Sequence, residues 1–333
     1  MNRSFQYAGE LKSHWGLTSS SSSFDVLRTY DNMVERSPEI LKEHFSVQHR
    51  QLLDRTPVVF LVARDLDACA LKVPNSDHEA IVAVGPRFSL LLNLMTRASL
   101  WAGDNFDKLE ARVFQRMARS AAALYACYAI QRPLQTGDVE GDWFFGHNSW
   151  NSTVLPVATF GAICFTICHE LAHIKLGHLS DSVLHKMADE LTYFQYMQEQ
   201  EFAADLEGAT LYYEGCPRIS FQASAPLIVC YTIGLLDYFR QLLSPDIEVS
   251  THPHGMKRAS RLLGRFRPNM DKAETTHAGV MCGVVEGILK ELSNIDLKDI
   301  FAGRKLDFRH RQTSYPTLDL LYHLQTQQKQ KKP

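Results

Sequence analysis

Two runs along the chain are apolar on every side, and the segments around them carry apolar residues at helical or strand spacing. Val157 to Cys168 is uncharged and almost wholly apolar, the pattern of a helix buried in a domain core. Gly177 reads as its stop. Pro226 to Arg240 predicts a second buried helix. Upstream, Val26, Leu27, Tyr30, Met33 and Val34 recur at three- and four-residue intervals, which predicts a helix. Pro38 reads as the opening of another, carrying Ile40, Leu41 and Phe45. Pro57 to Arg64, Ala68 to Val73 and Ala80 to Val84 are strand-like, the last two joined by a turn at Pro74 to Asp77. Helices are also expected over Pro86 to Leu100, Phe106 to Ile130 and 278–292. The aromatic loop from Gln131 to Asn148 reads as packed on the surface rather than as a lid. The pattern gives an α+β class, mainly helical, with a small and mostly antiparallel sheet beside the 157–168 helix. One domain is expected over 24–324, with a helical insert near 104–150. A Ser-rich lead (1–23) and a Gln/Lys-rich tail (325–333) flank it.

Composition narrows the function classes. The chain has 333 residues, 45% hydrophobic and 22% charged, with a net charge of −2. Neither nucleic acid nor an anionic membrane surface is the expected partner. The seven cysteines are scattered without a CxxC pair. They read as reduced core thiols in a cytoplasmic setting, Cys164 and Cys168 among them. No secretory leader is read at the N-terminus. The long uncharged runs contain Pro and polar residues, so they are expected to be core helices rather than spans.

The chemistry lies in His169-Glu170-Leu171-Ala172-His173. On a helix, His169 and His173 leave the same face one turn apart, so their ring nitrogens can hold one Zn²⁺ ion. Glu170 points to the open side of the ion and can take a proton from a water activated there. A catalytic zinc takes a third protein ligand. A His six residues after the second is ruled out, because Leu stands at positions 176 and 179. Glu201 is the candidate instead. Asp205, one turn on, is placed to accept an N–H bond from a ligand imidazole. Ala203, Ala204, Gly208 and Ala209 are small enough for this helix to approach the first closely. Glu199 and Glu207 are expected to face solvent; Asp189 and Glu190 are weaker rivals as ligand. The plain alternative is an ordinary helix with two core-facing histidines and no metal.

The HExxH pair followed by E-x-x-A-D-x-x-G-A resembles the gluzincin metallopeptidases, in particular the group of the CAAX prenyl proteases and heat-shock membrane metallopeptidases. The likeness covers roughly 58–265. His252-Pro253 through Arg258 looks like that group's H-P-x-x-x-x-R element. The resemblance implies that His252 and Arg258 lie near the active site, stabilising an oxyanion or bracing the Glu201 helix. Asp67 to Ala70 looks like the group's N-A-F-A strand, with Asp and Cys replacing Asn and Phe. It implies that Ala68, Cys69 and Ala70 align a substrate backbone. His178 recurs in parts of the group and is assigned no role. As a non-membrane chain it is also similar to the Lit-type phage-exclusion peptidases. The implied fold is zincin-like and the implied activity that of a zinc endopeptidase. Its partner would be a protein or peptide substrate, with room for a regulatory protein. A zinc-stabilised sensor or binding module is the alternative.

Overall fold

In a computed structural model of the chain, the structure describes residues 24–60, 68–72, 80–85, 88–89, 91–93, 95–96, 100, 154–179, 190–216, 224–243 and 253–292. Expectations for the lead, the insert with its aromatic loop, the 74–77 turn, Asp189, His252 and the tail lie outside these residues. So do the side chains of Phe24 to Asn32 and of Glu190.

The first helix, α1, runs from Phe24 to His44 with Pro38 inside it. This corrects the expectation that Pro38 opens a new helix. A proline in a helix interior costs about 3 kcal/mol. Val34, Leu41 and Phe45 are all buried, and burying each such side chain contributes about 2 kcal/mol. Core packing therefore outweighs the break. Ser37, fully buried beside the proline, donates from Oγ to Met33 O at 2.6 Å. Helix α2 (Val47–Arg55) follows, with Ser46 as its N-cap.

The sheet holds β1 (Val58–Phe60), β2 (Ala68–Lys72) and β3 (Ala80–Val84), in the order β1-β3-β2. The β2–β3 pair is antiparallel, as expected for neighbours joined by a turn. β1 lies parallel to β3, so the sheet is mixed, with the antiparallel ladder the longer. Every residue of β3 is buried, as befits a central strand. Among the described residues β2 is an edge strand. Val82 N–H donates to Pro57 O at 2.9 Å, so Val82 faces β1. Its register partner Ala70 must then turn its own N–H away from β3, towards the open edge.

Helix α3 (Val154–Lys175) is the axis of the fold. It packs against α1, α2, β2, β3, α4 (Glu190–Gly215) and α5 (Ala225–Leu243). That explains a sequence apolar on every side: its middle, from Ala162 to Phe165 and on through Ile167 and Cys168, has no exposed surface. The stretch Leu155–Lys175 is long and apolar enough to cross a membrane, yet 78% of its most apolar window is buried inside the protein. A core helix passes the same test.

Helix α6 (Gly255–Phe266) crosses α5. A Cβ on Gly255 would lie 2.2 Å from Cys230 O and 2.3 Å from Gly234 N, so no larger residue fits this crossing. After a short 3₁₀ turn, α7 (Lys272–Leu292) packs on α5. It starts earlier than the apolar pattern suggested. Asp271 Oδ1 accepts from Glu274 N–H at 2.8 Å, and Glu274 Oε2 accepts from Asp271 N–H at 3.0 Å. This reciprocal cap fixes the start.

Candidate metal centre

The candidate metal donors are brought together by two helices in close contact. Gly208 on α4 lies against the backbone of α3: a Cβ there would stand 2.7 Å from His169 Cα. The small residues of α4 permit this approach. It brings Glu201, two turns before Gly208, over the paired imidazoles.

His169 Nε2 and His173 Nε2 are 3.2 Å apart. Glu201 Oε2 is 3.5 Å from the first, and its Oε1 is 3.5 Å from the second. Metal bonds of about 2.0–2.1 Å at tetrahedral angles would set neighbouring donors about 3.3 Å apart. The observed spacings fit that face. His169 and Glu201 are buried and His173 partly so. Among the described residues the group holds these three donors and no fourth His, Cys or carboxylate. The set could hold a metal ion.

The surroundings suit a cation. Asp205 Oδ1 is 3.1 Å from His169 Nδ1, an ion-pair distance with an approach too bent for a straight hydrogen bond. Arg258, on α6, grips Asp205 with two bonds of 2.6 and 2.8 Å. It also reaches Glu201 Oε2 at 3.3 Å and His169 Nε2 at 3.4 Å. Burial alone would push the Asp205 carboxyl up, but Arg258 and His169 outweigh it and hold it below the usual range. Asp205 and Arg258 thus neutralise one another, leaving the charge of Glu201 facing the two imidazoles.

Burial takes His173 down to about 3, so its ring is neutral and has a lone pair to offer. Burial also pulls on His169, but Asp205 and Glu201 overcome it and raise the ring to about 10. A metal at Nε2 would have to displace that proton, as metal binding to histidine generally does.

Glu170 follows His169 on α3 and is buried. Its carboxylate accepts a hydrogen bond from Ala70 N–H, the group that β2 turns to its open edge. Burial pushes its pKa above the ordinary carboxylate value. The structure therefore brings together His169, Glu170, His173, Glu201, Asp205, Arg258 and Ala70. Ala68 and Cys69 precede Ala70 on the same edge strand.

Other residues behave more plainly. Glu199 is exposed and pairs with Arg261 at 3.3 Å, and Glu207 pairs with Lys175. Arg261 also lies over the Phe202 ring. Of the neighbouring arginines Arg258, Arg261, Arg265 and Arg267, only Arg258 turns inward. Cys164 and Cys168 are fully buried, and burial pushes both thiols up, away from reactivity.

His178 carries a contact that sequence reasoning missed: its Nδ1 lies 3.0 Å from His173 Nδ1. Its signal was the Gly-His pair just beyond the helix. No family model, curated protein or solved structure matches the chain.

Proposed function

We propose that the protein is a zinc-dependent endopeptidase. The observation that supports this reading is the buried triangle of His169, His173 and Glu201 with a further carboxylate, Glu170, held beside it against an open strand edge. A structural zinc is enclosed by four protein ligands and needs no base; a catalytic one has three and a position for water. Three donors among the described residues favour the second kind.

His169, His173 and Glu201 would hold the ion, which when bound supplies Lewis acidity to a water and to the scissile carbonyl. Glu170 accepts the proton of the attacking water and delivers it to the leaving amine. The raised pKa of its buried carboxyl suits both halves of that transfer. Asp205 orients the His169 ring, and Arg258 holds Asp205 and Glu201 in place. Apart from Ala70 N–H, which Glu170 engages, the outer edge of β2 would offer backbone groups to an extended chain. The gluzincin likeness of the motifs favours the same reading.

The test compares purified wild type with Glu170→Gln and His169→Ala by metal analysis and by mapping new protein termini in expressing cells. Glu170→Gln should keep the metal and abolish new termini; His169→Ala should lose both. Termini generated equally by wild type and Glu170→Gln would refute the mechanism. Tight zinc without any proteolysis by wild type would favour the sensor or binding-module reading.

A further inference from the structure

We propose that His178 is a positioning residue that fixes the tautomer and ring orientation of the metal ligand His173, and that the stop of helix α3 holds it there. The inference rests on the zinc reading above and deepens it.

The argument starts at Gly177, whose φ of 73° lies in the left-handed region that favours glycine. Gly177 N–H donates to Ile174 O at 3.1 Å, and His178 N–H donates to His173 O at 2.9 Å. These two bonds are those of a Schellman stop. In such a stop the residue after the glycine folds back over the one five positions earlier. That contact is usually apolar; here both positions are histidine. Their ring centroids are 5.0 Å apart at an interplanar angle of 69°, and the two Nδ1 atoms approach to 3.0 Å.

Two ring nitrogens at that distance share one proton, so one ring donates and the other accepts. His173 Nε2 faces His169 Nε2 and Glu201. A ligand at Nε2 needs its lone pair there, which puts the His173 proton on Nδ1. His173 then donates and His178 accepts through its Nδ1 lone pair, carrying its own proton on Nε2. The two ligands are thus oriented by different partners. His169 has Asp205 beside its Nδ1, whereas His173 has a neutral ring supplied by its own helix terminus.

The experiment is a chelator-competition titration with Zn²⁺ on the full chain, comparing wild type, His178→Leu and His178→Asn. Leucine keeps an apolar contact at the stop but cannot accept a proton; the asparagine amide oxygen can. His178→Leu should weaken zinc binding about 10–100-fold, the usual effect of losing such a partner. Its metal-free urea midpoint should stay near that of wild type, and His178→Asn should recover most of the affinity. Long-range ¹⁵N–¹H spectra of the zinc-loaded wild type should show the His173 proton on Nδ1. If His178→Leu does not fold, His178→Ala against His178→Asn makes the same comparison. Wild-type affinity in the leucine or alanine variant overturns the role of His178 and leaves the zinc reading intact. A His173 proton on Nε2 overturns that role too, and with it the assignment of His173 Nε2 as a zinc donor. A wild type that binds no zinc overturns both.

Discussion

Gly208→Ala should unmake the metal site without touching a ligand. The added Cβ would stand 2.7 Å from His169 Cα, 2.9 Å from His169 N and 3.3 Å from the Cys168 carbonyl carbon. Carbon atoms rest about 3.5–4.0 Å apart, and backbone cannot swing aside as a side-chain tip can. Helices α3 and α4 must therefore part by about 1 Å at this point. Glu201 rides on α4, and metal–ligand distances tolerate only about 0.2 Å. The triangle should open beyond what one ion can bridge. Ordinarily, Gly→Ala inside a helix stabilises by about 1 kcal/mol. Here overpacking should cost about 1–3 kcal/mol instead, so the sign of the effect is itself diagnostic. Urea denaturation of the metal-free protein measures the stability term, and Zn²⁺ titration against a chelator measures the site. The variant should be destabilised and bind at least about tenfold more weakly. A Gly208→Ala protein as stable as wild type, with unchanged zinc affinity, would refute the close-contact argument.

Three further outcomes follow from the same packing. Gly279→Ala and Gly283→Ala on α7, where a Cβ would meet nothing within 4 Å, should each stabilise by about 0.5–1 kcal/mol in the same urea assay. Asp205→Leu alone leaves the Arg258 charge buried and should destabilise by about 3 kcal/mol, whereas Asp205→Leu with Arg258→Met should recover much of that loss; a double variant no better than the single would contradict the pairing. Burial lowers His277 to about 4 from its ordinary value of 6.5. The unfolded chain therefore takes up the proton first, and stability is full above pH 6.5 and lost as pH falls towards 4. His277→Leu should remove about 2 kcal/mol of the difference between urea melts at pH 8 and pH 5; equal slopes for both proteins would rule this out.

Much of the site was legible because its information is local. The i, i+4 spacing of His169 and His173 fixes a shared face once the segment is helical, and the apolar run before it makes the helix secure. Glu201, Asp205 and the small residues around Gly208 form a second local pattern. Their meeting needed only one long-range assumption, that the two faces touch. Features set by non-local forces were harder to see. Pro38 reads as a boundary because local cost is visible in sequence, while the burial of Leu41 and Phe45 that offsets it is not. The parallel placement of β1 beside β3 depends on strand order, which no local period encodes. The early start of α7 was readable in Asp271 and Glu274, but apolar spacing alone passes over it. His178 was visible as a residue and opaque as a partner. Its place over His173 comes from the left-handed turn at Gly177, a feature of backbone direction rather than of composition.

The arrangement around Arg258 explains why three helices, rather than the two that carry the candidate donors, make the site. A bare carboxylate as deeply buried as Asp205 would be costly, and it would draw a proton or a cation away from the ligands. Arg258 matches its charge with a two-pronged bond while also touching Glu201, whose carboxylate faces the imidazoles. That service depends on where α6 begins. Gly255 is seated against Cys230 and Gly234 of α5, and Asp237 of α5 accepts a bond from Gly255 N–H at 3.1 Å. His254 caps the same terminus through its ring Nδ1, which accepts from Met256 N–H at 3.2 Å. Arg258 follows one turn later, on the face this seating turns inward. The Pro-His-Gly stretch before it is therefore a docking device: it fixes the position of a charge that matches the buried Asp205 carboxylate beside the candidate donors.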